Sequence, residues 1–265
     1  EPGCAVLEAL AANVDTVFVL IAADGRVTPR SVERYLTLVW ESGATPVVIL
    51  TKTDLVTGER LDDAFTRLEP ACVGVALLAV SVTTGSGLAA LAPFLGRGRT
   101  VALLGSSGAG KSTLANQLTE AGLATGAVRS DGRGRHTTTY RELVALPGGG
   151  VLIDTPGLRE VGLWDADAGV DRTFPEITAL VGQCRFADCA HRSEPGCAVL
   201  EALAAGRITA ERLASWRKLR RELDRLAVRD DPALAERMRT EQRRVFRGYA
   251  RARREQRRQD RGKSR

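Results

Sequence analysis

Up to residue 165, hydrophobic residues alternate between short continuous runs and sets at helical spacing. The runs predict buried strands at residues 17–21, 47–50, 75–80 and 100–104. The helically spaced sets predict helices at residues 32–43, 61–68, 88–95 and 111–118. Strands that alternate with helices predict an α/β fold with a mostly parallel, doubly wound sheet.

The α/β region also contains a predicted hairpin, with strands in residues 138–146 and 151–153 across a Gly-rich turn at 147–150. A different pattern follows after about residue 165. Further along, apolar residues on one helical face predict a long helix, which Asp230-Asp-Pro232 should end. These apolar residues are Leu213, Trp216, Leu219, Leu223 and Leu226. We therefore predict one domain over residues 13–165 and a smaller helical domain over residues 166–265.

Residues 1–12 are identical to residues 194–205. A single repeat of a short segment does not build a solenoid, which needs several stacked copies. The second copy lies beside candidate metal ligands, whereas the first does not. We interpret residues 1–12 as an anomalous duplicated segment, and Cys4 within it as no metal ligand. The sequence does not begin with Met, so we expect further residues before it.

Composition narrows the class of protein. The chain has 265 residues, of which 44% are hydrophobic and 26% charged, and its apolar runs are too short to span a membrane. Five cysteines, three of them near a histidine, fit a reducing compartment and a metal better than a disulfide framework. We expect a cytoplasmic monomer without a membrane partner.

The net charge of +6 is distributed unevenly. Residues 237–265, the basic tail, contain 13 Lys and Arg but only three acidic residues. The rest of the chain is therefore slightly acidic. Paired arginines in the tail suit contacts with a polyanion such as RNA, and the alternative is a solvated charged helix.

A glycine-rich segment follows the strand predicted at 100–104. It matches the phosphate-loop pattern G-x-x-x-x-G-K-[ST] and opens into a predicted helix, which is the context that the pattern requires. In such a loop backbone N–H groups surround the phosphates, the lysine reaches the outer phosphates and the serine binds Mg²⁺. The alternative is a Gly-rich turn before a helix. The predicted phosphate-binding residues are Gly105, Ser106, Ser107, Gly108, Ala109, Gly110, Lys111, Ser112 and Thr113.

Two further segments follow predicted strands. Asp154-Thr-Pro-Gly157 puts a carboxylate at a strand end, where it would face Mg²⁺, and a glycine N–H near the terminal phosphate. Thr51-Lys-Thr-Asp54 puts a carboxylate where it can accept from N1–H and the amine of guanine, whereas adenine offers neither donor. Either segment alone is a common polar turn. The predicted base-binding residues are Thr51, Lys52, Thr53 and Asp54, with Ser81 helping through its backbone N–H.

These motifs resemble those of Ras-like GTPases in rotated order, with the base-reading segment first. Together with Gly134-Arg-His-Thr-Thr138 and a cysteine cluster, the chain resembles the bacterial small ribosomal subunit biogenesis GTPases, which are circularly permuted. The family usually has Asn at the position of Thr51. A threonine side chain can form only some of the hydrogen bonds that an asparagine side chain forms there. The family's N-terminal OB-fold domain is not among these residues.

The resemblance implies a function and further site residues. The chain is expected to hydrolyse GTP to GDP and phosphate with Mg²⁺, acting on the small ribosomal subunit and its rRNA. Thr138, with Ser112 and Asp154, is expected to hold Mg²⁺ and to sense the γ-phosphate. Leu158 stands where Ras-like enzymes carry a water-positioning Gln. We hypothesise that His136 orients the water; the alternative is that it packs or contacts RNA.

Three cysteines and one histidine predict a closed tetrahedral site for structural Zn²⁺. The alternative is a scattered set of buried cysteines. This Cys/His cluster consists of Cys184, Cys189, His191 and Cys197.

Other functions remain open from the residues alone. The chain could be a nucleic-acid-binding module with a purely structural nucleotide site, an ATP-dependent enzyme, or a permuted GTPase that acts on the large subunit. Lys111-dependent turnover of GTP rather than ATP would exclude the first two.

Overall fold

The chain folds into two compact units that divide between Gly162 and Leu163. The computed structural model describes residues 13–25, 28–119, 142–154 and 166–230. The duplicated segment at residues 1–12 and the basic tail lie outside these described residues.

A six-stranded sheet forms the centre of the first unit. Its spatial order is β3-β2-β1-β4-β6-β5, and neighbouring strands are parallel except for the antiparallel pair β5 and β6. The mostly parallel sheet and the hairpin are therefore confirmed. The strands are β1 (Thr16–Ala22), β2 (Thr45–Thr51), β3 (Ala76–Ala79), β4 (Thr100–Gly105), β5 (Glu142–Ala145) and β6 (Val151–Asp154).

Helices cover both faces of this sheet, which explains why its central strands are apolar throughout. Val17, Val19 and Ile21 of β1 pack on one face with α1 (Pro29–Glu41) and α2 (Gly58–Leu68). Phe18 and Leu20 pack on the other face with α3 (Lys111–Thr119).

The helix predicted at residues 88–95 is instead a 3₁₀ helix over Leu88–Phe94. Pro93 lies inside it and has no backbone N–H to donate to a residue four positions earlier. Gly87 before it has a left-handed conformation. The segment is helical as predicted and buries Leu91 against the sheet, although its helix is 3₁₀ and not α.

Four helices make up the described part of the second unit. They are α4 (Asp167–Thr173), α5 (Pro175–Val181), α6 (Ala198–Ala204) and α7 (Ala210–Asp230). Leu213, Trp216, Leu219 and Leu223 of α7 are buried, as their spacing predicts. Asp230 is the last described residue, so the predicted helix break after it lies outside the description.

A nearly buried arginine connects α5 and α7. Arg212 donates from Nε to Glu176 at 2.7 Å and from Nη2 to the Thr173 carbonyl at 2.6 Å. Its guanidinium also lies 4.2 Å from the centre of the Phe174 ring. A buried charge with this many partners fixes how the two helices pack.

Among the described helices of both units, none is long and apolar enough to cross a membrane.

The loop after β3 gives a stability prediction with a matched control. Gly85 and Gly87 both have φ of +77°, but a Cβ on Gly87 would lie 2.0 Å from the Ala79 carbonyl oxygen, whereas one on Gly85 meets nothing within 4 Å. We expect Gly85→Ala to lower the free energy of unfolding by about 1 kcal/mol through backbone strain alone. Gly87→Ala should cost about 3 kcal/mol or more, because the clash with backbone adds to the strain. Denaturant unfolding measures the free energy of unfolding of both variants. Equal losses of stability in Gly85→Ala and Gly87→Ala would contradict the expectation.

Candidate nucleotide site and metal centre

The carboxyl ends of the parallel strands lie at one edge of the sheet, where α/β proteins bind their ligands. The phosphate loop (residues 105–112) follows β4, and the base-reading loop (residues 51–54) begins at the last residue of β2. Asp154 is the last residue of β6, and Ser81 follows β3 by two residues. The fold thus brings the ends of the strands that carry the predicted motifs to a common edge.

Three glycines give the phosphate loop its shape. Gly105, Gly108 and Gly110 have φ values of +152°, +79° and +88°. A Cβ on Gly105 would also lie 2.4 Å from the Leu20 carbonyl oxygen on the neighbouring strand. A side chain is therefore excluded at Gly105, and the positive φ values favour glycine at all three positions, so the loop can bring its backbone N–H groups close to a bound phosphate.

Lys111 is the first residue of α3 and is largely buried. Its ammonium donates to the carbonyl oxygens of Gly105 at 2.8 Å and Ser106 at 2.9 Å. The positive charge is thus held at the loop itself, beside the N-terminus of a helix, and both features favour an anion. Ser112 and Thr113, exposed in the first turn of α3, are within the same segment.

The base-reading loop touches the phosphate loop directly. Thr51 is buried, and its hydroxyl donates to the Ala109 carbonyl oxygen at 2.8 Å. Two segments separated by more than fifty residues in the chain are therefore in contact. One mononucleotide can reach both loops only if they are adjacent, so this contact meets the central requirement of the predicted site.

Lys52 takes the left-handed conformation, with φ of +58°, as the chain turns into a short 3₁₀ helix. Its ammonium lies 3.3 Å from a carboxylate oxygen of Asp24, which follows β1 at the same edge. Asp24 was not among the predicted site residues, although an acidic residue two positions after a buried strand was a usable signal. Both side chains are about one-third exposed, so the ion pair adds little stability and mainly orients the lysine.

Asp54 is exposed, and one of its carboxylate oxygens accepts a hydrogen bond from the Ser81 hydroxyl at 2.6 Å. The Ser81 hydroxyl accepts in turn from the Thr84 backbone N–H at 3.2 Å. The backbone N–H of Ser81 donates to the Ser86 carbonyl at 2.9 Å. In this structure that N–H is therefore used within the loop, and Ser81 contacts Asp54 through its hydroxyl. The expected contact of the Ser81 N–H with the base stays a prediction.

Several predicted site residues lie outside the described part of the chain. These are His136, Thr138 and Gly157, together with Leu158. Asp154 is placed by its backbone at the end of β6. The described residues fit a guanine nucleotide at both of its ends: a carboxylate for the base, and a glycine-shaped loop with a buried lysine for the phosphates.

The Cys/His cluster of the second unit has the spacing of a metal centre. The Sγ atoms of Cys184 and Cys197 each lie 3.5 Å from Nδ1 of His191 and 3.9 Å from one another. With Cys189, the four donor atoms all lie within 4.8 Å of one another. Zinc–sulfur bonds of about 2.3 Å and zinc–nitrogen bonds of about 2.0 Å at tetrahedral angles put donor atoms about 3.5–3.8 Å apart. The donor set and its dimensions fit Zn²⁺.

The electrostatics of the cluster also favour a cation. Burial raises the pKa of the Cys189 thiol to about 12, and the neighbouring thiols of Cys197 and Cys184 add to this rise. Burial lowers the pKa of His191, which keeps its imidazole neutral and able to donate a lone pair to a metal. Thiolates crowded this closely repel one another, and a divalent cation removes that repulsion.

α7 supports the histidine of the Cys/His cluster. His191 has a φ of +54°, and its carbonyl oxygen accepts a hydrogen bond from the Arg217 guanidinium. The His191 ring also packs edge-on against Trp216, with ring centres 5.7 Å apart. Groups behind a metal ligand fix its orientation, so these contacts would orient His191 towards a metal bound by the cluster.

Comparisons with known proteins agree with this arrangement. The family model for the RsgA GTPase matches residues 3–164. Curated proteins described as small ribosomal subunit biogenesis GTPase RsgA include one from Streptomyces avermitilis, 55% identical over 228 residues, and one from Streptomyces coelicolor, 54% identical over 225 residues. These matches cover 85% and 84% of this chain but 61% of each relative, so the chain spans less than two-thirds of their length.

Solved structures give the same result. YjeQ from Thermotoga maritima is similar with a TM-score of 0.61 and 28% identity, covering 80% of this chain and 72% of that one. YloQ, described as a circularly permuted GTPase, matches with a TM-score of 0.61 and 25% identity, covering 80% and 68%. The predicted fold, a permuted Ras-like domain followed by a small helical domain with a Cys/His cluster, is confirmed. The chain belongs to the RsgA GTPase family.

Proposed function

We propose that the protein binds GTP with Mg²⁺ and hydrolyses it to GDP and phosphate. The observation that carries this proposal is the hydrogen bond from Thr51 to Ala109, which joins the base-reading loop to the phosphate loop. Asp54 accepts hydrogen bonds from guanine, and the Lys52 stem lies against the base. Lys111 and the loop backbone bind the phosphates. The side chains assigned to Mg²⁺ are Ser112, Thr138 and Asp154.

Hydrolysis needs a group that orients the attacking water. Leu158 cannot do this, because an aliphatic side chain neither donates nor accepts a hydrogen bond. We assign the role to His136, with Thr138 and the Gly157 N–H contacting the γ-phosphate. We expect slow turnover by the protein alone, and faster turnover when the small subunit is bound.

The proposed partner is the small ribosomal subunit with its rRNA, in the cytoplasm. Two observations support it: the curated relatives carry the name small ribosomal subunit biogenesis GTPase, and the basic tail suits RNA phosphates. We further propose that the protein is a monomer and that the Cys/His cluster binds one structural Zn²⁺.

The test is nucleotide hydrolysis titrated with purified small subunits, with GTP and ATP measured side by side. We expect subunits to raise GTP turnover at least about tenfold while ATP stays near background. Lys111→Ala should reduce turnover at least about a hundredfold, because the phosphates lose their main charged partner. Arg97→Ala is the control and should retain turnover, because Arg97 is exposed and precedes the amino end of β4, whereas the proposed site lies at the carboxyl ends of the strands. ATP hydrolysis as fast as GTP hydrolysis, or turnover independent of Lys111, would contradict the proposal.

A further inference from the structure

A threonine hydroxyl can donate only one hydrogen bond. The Thr51 hydroxyl lies 2.8 Å from the Ala109 carbonyl oxygen and 3.4 Å from that of Ile21. The shorter contact is the stronger one, and it directs the hydrogen towards the phosphate loop. Thr51 is 2% exposed, so its side chain is enclosed between strand and loop.

The acceptor of this bond is close to the residues that bind phosphate. Ala109 is fully buried and directly precedes Gly110 and Lys111. A Cβ on Gly110 would lie 3.7 Å from the Thr51 hydroxyl oxygen, so the end of β2 packs against the loop. Without the hydroxyl, a buried carbonyl would lose this donor, and such a loss disturbs the backbone that carries it.

A contact with N7 of the purine would require a second hydrogen-bond donor at residue 51. N7 of guanine is a hydrogen-bond acceptor, so a side chain that reads N7 must donate to it. An asparagine, which related GTPases usually have at this position, has two N–H donors and could contact both the loop and the base. The single hydrogen of Thr51 is already directed at Ala109.

We propose that Thr51 is a positioning residue that holds the phosphate loop in its binding conformation and does not read the base. The selectivity for guanine then depends on the edge of the purine that faces Asp54. No hydrogen bond between N7 and residue 51 adds to the affinity. This inference rests on the proposed binding of guanine nucleotides.

The test compares GDP with 7-deaza-GDP, in which a C–H group replaces the N7 acceptor. Dissociation constants are measured by calorimetry for the wild type and three variants. The wild type should bind the two nucleotides equally within about twofold. Thr51→Asn should favour GDP about tenfold, because it supplies the donor that N7 accepts. Thr51→Val should bind both nucleotides about tenfold more weakly with an unchanged ratio, and Thr51→Ser, which keeps the hydroxyl, should resemble the wild type.

The outcomes separate the inference from the function on which it rests. Discrimination against 7-deaza-GDP by the wild type would overturn the statement about N7. Unchanged affinity in Thr51→Val would overturn the positioning role; if that variant does not fold, as judged by circular dichroism, the Ser and Asn variants still decide the N7 question. No binding of GDP by the folded wild type would overturn the proposed function and the inference together.

Discussion

Replacing Asp54 with asparagine is expected to change the base preference of the protein from guanine to xanthine. In the proposed site the carboxylate accepts from two donors of guanine, whereas an amide would present a donor to the C2 carbonyl that xanthine has in place of the amine. Charge-assisted hydrogen bonds contribute about 1.5–3 kcal/mol each, so GDP affinity should fall at least about a hundredfold. Affinity for xanthosine diphosphate should rise by a similar factor. Calorimetric titration with both nucleotides measures the change.

Two variants control for other effects of the substitution. Asp24→Asn removes the same charge from the neighbouring loop, where it touches only Lys52 among the base-reading residues, and should change GDP affinity less than about threefold. Ser81→Ala removes the hydrogen bond that orients Asp54 and should weaken GDP binding about tenfold without altering the base preference. An Asp54→Asn protein that binds GDP like the wild type would show that this carboxylate does not read the base.

Cys197→Ser should release the metal and unfold the second unit. Cys197 is buried directly before α6, and its sulfur lies close to both His191 and Cys184. Apparent zinc-binding energies in small zinc domains are about 10–16 kcal/mol, which is as large as the whole stability of a typical domain, about 5–15 kcal/mol. We expect no stoichiometric zinc by elemental analysis and a loss of the helical circular dichroism of α4–α7.

Cys72→Ser is the matched control for this variant. Cys72 is also a buried cysteine, but it lies in the first unit, outside the Cys/His cluster. The substitution should cost about 1–2 kcal/mol of stability through burial of a hydroxyl, with one zinc per chain retained. One zinc retained by Cys197→Ser would remove that residue from the ligand set.

Local signals were sufficient to predict the nucleotide-binding framework. The strands β1, β2 and β4 are continuous apolar runs because helices cover both sheet faces, and the phosphate loop has a specific pattern in a specific context. The Cys/His cluster was likewise visible as ligand types at short spacing. In each of these cases the physical constraint acts on residues that are neighbours in the chain.

The remaining features depend on contacts between distant residues. Helices α4, α5 and α6 have seven residues each, too few for a helical period to stand out from chance. The hydroxyl of Ser81 reaches Asp54 only because β3 and β2 are neighbours, and Thr51 reaches Ala109 only because β2 and the phosphate loop meet at one edge. These pairings are tertiary, so no window of sequence contains both partners.

The order of the strands along the chain has a consequence for synthesis on the ribosome. A nascent chain that has emerged through β3 has the three adjacent strands β3, β2 and β1, and β1 is then at an open edge. This strand is almost entirely apolar, and open apolar edges promote aggregation. Only the emergence of β4, which pairs with β1 from Thr16 to Leu20, closes that edge. The phosphate loop follows directly at the end of β4, so the residues that protect this edge emerge immediately before those proposed to bind the nucleotide.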